Sequence, residues 1–387
     1  MPSLMDKLRM IDSGSRPGAP RQEPVKPAAT DCFRRDDVFP LSSFCELRYA
    51  DSATLAAIFG MPFPPSLKPT DFLFLDTETT GLSGGVGTLA FEVGLGYLAG
   101  DHFVTEQYFM RDYDEESFLL AHVAKRLAAF PVLVTFNGRT FDVPLLKSRL
   151  LMNRMPDSVT DCHADVLHPA RRLWKLRLGR CTLQRLEEAV LGVTREDDLP
   201  GGEVPQTYFR YLKDRDFYPI ERILDHNRQD VISLAQLFFY LCKLFAQPEE
   251  VAQPLDLISM AKAYAKGGNA QRSAKCYRLC ARGATRADAF SALAAMEKRQ
   301  GRVDQSMKLY AAMARRGDQP VQACEALAKL CEHQRRDPEQ ALVYTRQALL
   351  LLSEPRLHED EAVQAQRNAL QYRYARLRRK LAARADE

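Results

Sequence analysis

The sequence lacks several patterns that would place it quickly in a known class of proteins. Its nine cysteines include no CxxC pair, so the spacing that is typical of structural zinc sites is absent. Most of them are predicted to be buried, small apolar side chains in a reducing compartment. We find no signal-peptide-like apolar segment and no uncharged apolar run of membrane-spanning length. These absences predict a cytoplasmic protein with no membrane partner.

A nucleotide-binding P-loop is also missing, and tryptophan is scarce. The glycine-rich stretch LSGGVGT, residues 82–88, lacks the lysine and the adjoining Ser or Thr of a P-loop. Its glycines are instead predicted to let the chain turn, or to let a sugar approach the backbone. Tryptophan occurs once, as Trp174. This residue is expected to belong to an apolar helix face, with stacking on a base as the alternative.

The overall composition is that of a globular protein with more than one core. Of 387 residues, 46% are hydrophobic and 27% are charged, which is ordinary for such proteins. The formal net charge is +4 and the pI is near 8.5. This mild excess of positive charge permits a polyanionic partner without requiring one.

Changes in composition divide the chain into four segments. Residues 1–30 are rich in Pro, Gly, Ser and charge, a composition typical of a disordered leader. Residues 31–70 contain short apolar pieces and a turn-rich end, which predicts an N-terminal extension packed on the next domain. Residues 71–245 alternate between strand and helix patterns, whereas residues 251–387 are helical in pattern with a basic C-terminal tail.

The pattern of residues 71–245 predicts an α/β domain. FLFLD is a short buried strand, and LAFEVGLGYLAG and HFVTEQYFM are two strands joined by a tight turn. EESFLLAHVAKRLAAF has apolar residues at helical spacing, and the buried strand VLVTF follows it. We therefore expect a sheet with helices packed on it and a site at the carboxyl ends of its strands.

The last third of the chain repeats with a period of 33 or 34 residues. Three sets of residues recur in register: Ala261, Ala294 and Ala328; Tyr277, Tyr310 and Tyr344; Ala281, Ala314 and Ala348. This pattern is typical of tetratricopeptide-like helical pairs, which usually bind protein partners. Gly268 and Gly301 are predicted to mark turns between paired helices, and Arg335 takes this place in the third copy. The alternative is a helical cap that only stabilises the first domain.

Four acidic residues and one histidine are the candidate catalytic residues. Asp76 and Glu78 end the first strand and point the same way, so they repel unless a cation lies between them. Asp142 is expected in the first turn of a helix that follows another strand. His226 and Asp230 are four residues apart on a long helix and share one face. Mg²⁺ prefers such carboxylates, and two ions together stabilise the attacking and leaving oxygens of a phosphoryl displacement.

Candidate substrate-binding residues surround these acids. Thr79 and Thr80 offer hydroxyl or backbone groups to a terminal nucleotide, with capping and turn roles as alternatives. The set of candidates is Thr79, Thr80, Gly81, Asn137, Arg171 and Arg172. Asp161, Asp165, His163 and His168 are predicted to be structural rather than metal-binding.

The segment from Lys147 to Arg180 is strongly basic. It contains eight basic and three acidic residues, a local excess of five positive charges that would guide a phosphate backbone towards the acids. The C-terminal stretch RYARLRRKLAAR has six basic residues and no acid. We interpret it as a solvated helix end, with a second nucleic-acid contact as the alternative.

Three of these stretches carry a family resemblance. LDTETTGL, FNGRTFD and HNRQD, in this order, resemble the exonuclease motifs of the DEDD group in the ribonuclease H-like superfamily, and more narrowly the YprB-type ribonuclease H-like family. The resemblance covers residues 71–245 and implies a mixed sheet, with its second strand antiparallel, flanked by helices. It also implies that two Mg²⁺ or Mn²⁺ ions bind to four acids, which are Asp76, Glu78, Asp142 and Asp230.

One spacing departs from this resemblance. In the branch that uses a histidine base, the histidine precedes the last Asp by five residues, whereas His226 precedes Asp230 by four, as the tyrosine does in the other branch. We interpret His226 as a general base in a tyrosine-like position, because a neutral imidazole accepts a proton near pH 7. A helix-surface or hydrogen-bonding role is the alternative.

These patterns together predict a metal-dependent 3′-to-5′ exonuclease of DNA or RNA, followed by tetratricopeptide-like repeats. The first alternative is a nucleic-acid-binding adaptor with little or no activity that recruits proteins through its repeats. The second is a repeat scaffold whose first domain is only a docking platform. The residues do not decide between DNA and RNA or between single strand and duplex. They also do not decide between exonuclease polarity and endonuclease cleavage.

Overall fold

The computed structural model describes residues 30–41, 44, 47–81, 87–195, 199–281, 285–353 and 361–385. Almost all of the predicted disordered leader, and the glycine-rich residues 82–86, therefore lie outside the described residues. In the described part, strands and sheet-flanking helices occupy the region up to Ala246, and helices follow to the C-terminal end.

One mixed sheet organises the first region. Its strands among the described residues are β1 (Phe33–Pro40), β2 (Phe72–Thr79), β3 (Ala90–Ala99), β4 (His102–Phe109), β5 (Val132–Thr135) and β6 (His163–Asp165). The spatial order is β1-β4-β3-β2-β5-β6. β1, β4, β3 and β2 pair antiparallel, whereas β5 and β6 are parallel to β2. The predicted α/β fold with an antiparallel second strand is confirmed.

Helices cover both faces of the sheet. They are α1 (Ser52–Phe59), α2 (Glu116–Ala129), α3 (Asp142–Met152), α4 (Leu167–Leu178), α5 (Leu183–Leu186), α6 (Val204–Asp214) and α7 (Tyr218–Ala246). Successive residues of β2 alternate between two cores: Phe72 and Phe74 pack with α1, α4 and α7, whereas Leu73 and Leu75 pack with α2, α3 and α6. A strand that is covered on both faces needs apolar residues at every position, which explains the run FLFL.

β1 is an addition that the sequence analysis did not predict. Its residues alternate between half-buried and exposed, and Val38 is 60% exposed, because one side of this edge strand faces solvent. The sequence pattern of residues 31–70 predicts only a packing extension. Its charged residues hide the strand pattern, since four consecutive residues, Arg34 to Asp37, are ionisable.

The position of α7 depends on two glycines in β3. A Cβ on Gly94 would lie 2.8 Å from the Cγ of Asn227 and closer still to its Oδ1. A Cβ on Gly96 would lie 2.5 Å from Val231 Cγ1 and 2.5 Å from Phe103 Cζ. Both distances are far inside van der Waals contact. The absence of side chains at these positions therefore lets α7 lie directly on the sheet.

By length and composition alone, α7 is the one described helix that could cross a membrane, and this is weak evidence. Most of its apolar window is buried, with Val231, Leu234, Phe238 and Phe239 packed in the core beneath it. A core helix of a soluble protein passes the same test. The packing therefore accounts for its apolar character.

The second region consists of successive helical pairs. Its helices are α8 (Pro254–Lys266), α9 (Ala270–Cys280), α10 (Arg286–Arg299), α11 (Val303–Arg316), α12 (Pro320–Leu330), α13 (Pro338–Leu351) and α14 (Glu361–Ala385). The first set of repeating alanines is completely buried: Ala261, Ala294 and Ala328. The pairing of helices agrees with the repeat pattern. The assignment of these pairs as tetratricopeptide-like stays a prediction.

The turns within the pairs lie where the repeat predicted them, with one shift. Gly268 and Gly301 have φ angles of 78° and 76°, a left-handed conformation that glycine adopts without strain. In the third copy, the residues from Cys331 to Arg335 form a π-turn, and Arg336 takes the left-handed conformation with φ of 55°. The π-turn inserts one residue, so the turn comes at Arg336 instead of Arg335.

The two regions share one core. Phe245 at the end of α7, and Leu257 and Ile258 of α8, belong to the same cluster as the sheet residue Phe72. At this junction, the largely buried Arg177 of α4 forms an ion pair of 2.8 Å with the buried Asp256 of α8. The first helical pair is therefore fixed to the sheet region by apolar packing and by a buried charge pair.

Candidate active site

Asp76 and Glu78 continue the inward series of β2. Side chains alternate along a strand, so both residues lie on the face of Phe72 and Phe74, which is covered by α7. The cross-strand partner of Asp76 is Gly94, the glycine beneath α7. Asp76 is therefore held in a narrow space between the sheet and this helix.

A chain of buried amides connects Asp76 to the rest of the sheet. Asn227 is completely buried, and its Nδ2 donates to Asp76 Oδ2 at 3.0 Å. Gln107 Nε2 donates to Asn227 Oδ1 at 3.2 Å and to Glu92 Oε1 at 2.8 Å. Burial raises the pKa of Glu92 to about 8, so its carboxyl group is mostly neutral at pH 7. The amides thus orient Asp76 without adding another full charge.

Asp142 lies in the first turn of α3, as the sequence predicted. It is 8% exposed, and Thr77 Oγ1 donates to its Oδ1 at 2.5 Å. Burial raises the pKa of Asp142 to about 6, and the hydrogen bond from Thr77 opposes this rise. Thr77 comes between Asp76 and Glu78 in β2, so this strand also positions the third acid.

The four acids form one electrostatic cluster. Burial raises the pKa of Asp76 well above its ordinary value, and the charges of Asp230, Asp142 and Glu78 raise it further. Burial also raises the pKa of Asp230, against the opposing charges of Arg195 and His226. Hard divalent cations prefer carboxylate oxygens, so this set of donors fits such ions. A bound cation would relieve the repulsion between the carboxylates.

The cluster is more open than a closed metal cage. A compact set of three possible metal ligands, with ligand atoms within 4.8 Å of one another, occurs elsewhere among the described residues. It consists of Asp31, Cys32 and His122, beside β1, which is three strands away from β2 in the sheet. There His122 Nε2 lies 2.9 Å from Asp31 Oδ1, and burial raises the pKa of the Cys32 thiol to about 12. These contacts explain the group as a structural hydrogen bond beside a buried, protonated thiol.

His226 lies between two of the acids. Its Nε2 is 3.8 Å from Glu78 Oε1 and 3.7 Å from Asp230 Oδ2. Its Nδ1 lies 3.3 Å from Arg195 Nη1. A guanidinium nitrogen can only donate, so Nδ1 accepts and the neutral ring carries its proton on Nε2. In this arrangement Nδ1 accepts a hydrogen bond from Arg195, and Nε2 is directed at the two acids from beyond hydrogen-bond distance.

Arg195 is a site residue that the sequence analysis missed. Its side chain is 8% exposed, and it forms ion pairs with Asp230 and with the buried Glu187. The contact of its Nε with Glu187 Oε2 is 2.8 Å long. No motif marked this residue, because it lies in a loop 35 residues before Asp230. Arg195 therefore supplies positive charge to the acidic cluster through its ion pair with Asp230.

Arg195→Ala is expected to lower the free energy of unfolding by about 3 kcal/mol in chelator, because Asp230 and Glu187 would lose their buried counter-charge. Thermal melting measures this loss, and added Mn²⁺ is expected to reduce it. Arg185→Ala is the matched control, since its ion pair with Glu188 is about half exposed and contributes little. Equal melting of the two variants would contradict a stabilising role for Arg195.

Asp165 is structural, as expected. It is buried, and its carboxylate accepts the backbone N–H groups of Asn137 at 2.8 Å, Arg139 at 3.1 Å and Leu167 at 3.1 Å. His163 is structural too, since Thr135 Oγ1 lies 2.7 Å from its Nε2 and burial lowers its pKa to about 4. Asp165 thus fixes the loop that leads into Asp142.

The predicted substrate-binding residues occupy two places. Thr79 Oγ1 donates to the carbonyl of Gly81 at 2.9 Å, and Thr80 Oγ1 accepts the N–H of Leu89 at 3.0 Å. These are turn contacts at the end of β2, beside the acids. Asn137 has a φ of 68° in the loop held by Asp165. Arg171 and Arg172 lie instead on α4, in a groove shared with α8.

The basic segment is partly neutralised in the folded protein. Three of its eight basic residues form ion pairs: Lys147 with Asp157, Arg149 with Glu116, and Arg177 with Asp256. Trp174 is 1% exposed and belongs to the core, which confirms the apolar interpretation. The basic residues that remain exposed on α4 are Arg171, Arg172 and Lys175.

A cavity opens beside His226. Its volume is about 430 Å³, and Arg195, Tyr218 and Arg222 also line it. Tyr218 is 72% exposed, so an aromatic face is available to solvent there. The cavity therefore adjoins the acidic cluster through His226 and Arg195, which contact Asp230.

Comparison with known proteins identifies the family. Residues 73–242 match the RNase H superfamily. An uncharacterized protein of Bacillus subtilis strain 168, YprB, is 30% identical over 367 residues, which cover 90% of this chain and 86% of that protein. This chain belongs to the YprB family. The match to the superfamily spans all four acids of this YprB-family protein, together with His226, Asn227 and Arg195.

A solved structure was also matched. The family B DNA polymerase of the hyperthermophilic archaeon Pyrobaculum calidifontis is 17% identical, with a TM-score of 0.37. The match covers 53% of this YprB-family chain and 30% of the polymerase.

Proposed function

We propose that this protein is a metal-dependent nuclease that removes nucleotides from the 3′ end of DNA or RNA. The observation that carries the proposal is the cluster of four acids, in which burial and three neighbouring charges raise the pKa of Asp76. Strongly shifted pKa values cluster at functional sites, and the RNase H superfamily match supports a nuclease domain. The 3′-to-5′ direction and the two-ion mechanism are part of the proposal.

The chain's own residues hold and orient the reacting groups. Asp76, Glu78, Asp142 and Asp230 would bind two Mg²⁺ or Mn²⁺ ions, which supply an activated water and stabilise charge on the phosphoryl oxygens. Asn227 fixes the orientation of Asp76 by its hydrogen bond. Thr77 fixes Asp142 in the same way.

His226 is proposed as the general base, with one condition set by its contacts. The ring accepts Arg195 at Nδ1, so Nε2 carries a proton and faces Glu78 and Asp230. To accept a proton from water, the ring must release Arg195, which frees Nδ1 directly or lets the proton move to Nδ1 and frees Nε2. Until it does, the protonated Nε2 faces the two carboxylates from 3.8 Å and 3.7 Å, which favours their charged forms without accepting a proton.

The substrate's terminal nucleotide is proposed to lie between the end of β2 and the cavity beside His226. Backbone groups of Thr79, Thr80 and Gly81, at the rim of the acids, and the side chain of Asn137 are proposed contacts for it. The exposed ring of Tyr218 offers a stacking surface at the mouth of the cavity. Arg171 and Arg172 are proposed to contact phosphates farther along the strand.

A cleavage assay tests this function. Four oligonucleotides, DNA and RNA, single-stranded and paired, are labelled at the 5′ end and incubated with Mg²⁺, Mn²⁺ or chelator. We expect a ladder that shortens from the 3′ end with metal and no products with chelator. Cleavage that persists in chelator would contradict the proposal. Binding without cleavage in every metal would favour the alternative, an adaptor that recruits proteins through its helical pairs.

A further inference from the structure

A basic groove lies at the junction of the two regions, where α4 contacts α8. Its volume is about 590 Å³. Five cations line it: Arg171, Arg172 and Lys175 of α4, and Lys262 and Lys266 of α8. No acidic residue is among the described residues that line the groove. Because both regions contribute, no single stretch of the sequence contains this groove.

The cations of the groove are exposed, and the charge pair nearest to them is already complete. Arg177, on the next turn of α4, pairs with Asp256 and fixes the two helices together. Arg172 donates only to the backbone oxygen of Ile58, at 2.9 Å. Among the described residues, none of the five cations has a carboxylate within 4.0 Å. The groove therefore presents unneutralised positive charge to solvent.

The start of α4, the helix that carries three of the cations, is linked by Asp165 to the loop that leads into Asp142. The N–H of Leu167, at the start of α4, donates to Asp165, which also holds the loop leading into Asp142. At 1.5 Å per residue, Arg171 and Lys175 lie about 6 and 12 Å along α4 from Leu167. A chain of phosphates could thus run from the loop beside the acids into the groove.

We propose that this groove binds the phosphate backbone of the polynucleotide whose 3′ end occupies the acidic cluster. This inference rests on the proposed function. The acids repel a polyanion, so the protein must present positive charge elsewhere along the path of the bound polynucleotide. Contacts with the phosphate backbone supply most of the affinity of such complexes. The helical region then has a role in substrate binding, because α8 contributes two of the five cations.

The test compares two charge-matched variants of the full chain. Lys175→Glu with Lys262→Glu reverses one cation on each side of the groove. Lys125→Glu with Lys213→Glu makes the same charge change at exposed positions of α2 and α6, which cover the opposite face of the sheet. Fluorescence anisotropy with labelled single strands of about 4 and about 16 nucleotides, in chelator, measures affinity at several salt concentrations.

The groove variant is expected to bind the longer strand about tenfold more weakly than wild type near 0.15 M salt. The slope of log K against log salt is negative, and its magnitude should fall by about 1.4 when two contacts are lost. The loss of affinity should grow with strand length. The control variant should bind like wild type.

Two results overturn the proposal, and they are distinguishable. If wild type cleaves the oligonucleotides but the groove and control variants bind equally well, the groove is wrong and the nuclease stands. If wild type neither binds nor cleaves any polynucleotide, both proposals are wrong. Thermal melting of the two variants shows that a loss of binding is not a loss of fold, since all four lysines are exposed.

Discussion

Asp76→Asn is expected to remove metal-dependent cleavage, by more than about a thousandfold, while stabilising the protein in chelator at neutral pH. The carboxylate is central to the proposed metal site, so its loss removes catalysis. The same carboxylate is buried among three like charges, which raise its pKa in the folded state. Asparagine carries no charge, and Asn227 Nδ2 can still donate to its amide oxygen.

The pH dependence of this stabilisation has a defined sign. At a pH below the ordinary pKa of Asp76, the carboxyl group is protonated in both states and costs nothing. Above that value the unfolded chain ionises first, so the folded state loses stability until the pH passes its raised pKa. The advantage of Asp76→Asn should therefore appear as pH rises above the ordinary value near 4 and grow towards neutrality.

Activity and melting temperature are measured on the same preparations, with Asp161→Asn as the control. Asp161 is exposed and lies outside the cluster, so its substitution should change neither quantity. Added Mn²⁺ should raise the melting temperature of wild type more than that of Asp76→Asn. If Asp76→Asn cleaved as fast as wild type, the assignment of the site would be wrong.

Gly94→Ala is expected to destabilise the protein by about 3 kcal/mol and to impair the acidic site as well. The added Cβ would overlap the amide of Asn227 and approach Val231 Cγ2 to 3.0 Å. Relief of the overlap requires α7 to move away from β3. Because α7 carries Asn227, His226 and Asp230, its movement would separate these residues from Asp76 and Glu78.

Gly202→Ala is the matched control for this substitution. A Cβ on Gly202 would have no atom within 4 Å, and the residue does not require a positive φ angle. Denaturant unfolding and Mn²⁺ binding by calorimetry are the measurements. If Gly94→Ala unfolded at the same denaturant concentration as Gly202→Ala and bound Mn²⁺ equally well, close packing of α7 on β3 would not control the site.

Local patterns were sufficient for the strands and for most helices around the site. The run FLFL is buried on both faces, and the two strands after it form the predicted hairpin, β3 and β4. The acids Asp76, Glu78, Asp142 and Asp230 are brought to one end of the sheet, where the order of strands and helices predicted them. These features depend on hydrophobic periodicity and on turn residues, which act over a few positions.

Long-range contacts could not be inferred from such patterns. Arg195 reaches Asp230 across 35 residues, and Asn227 reaches Asp76 across 151. Asn227 does lie on the buried face of α7, but helical spacing shows only that the residue is buried and not which partner it contacts. Arg195 lies in a loop and has no such spacing. The contact of Arg195 with Nδ1 of His226 likewise sets the tautomer of the ring, which no spacing of residues can predict.

The chemistry of the acids, the α/β order of elements and the period of the helical repeats were thus all readable along the chain, since each depends on residue type and short spacing. The closeness of α7 to β3, the counter-charge of Arg195 and the groove between α4 and α8 arise only when separate elements pack. Packing is decided by the shapes of surfaces that are distant in sequence, such as the bare backbone of Gly94 beneath Asn227.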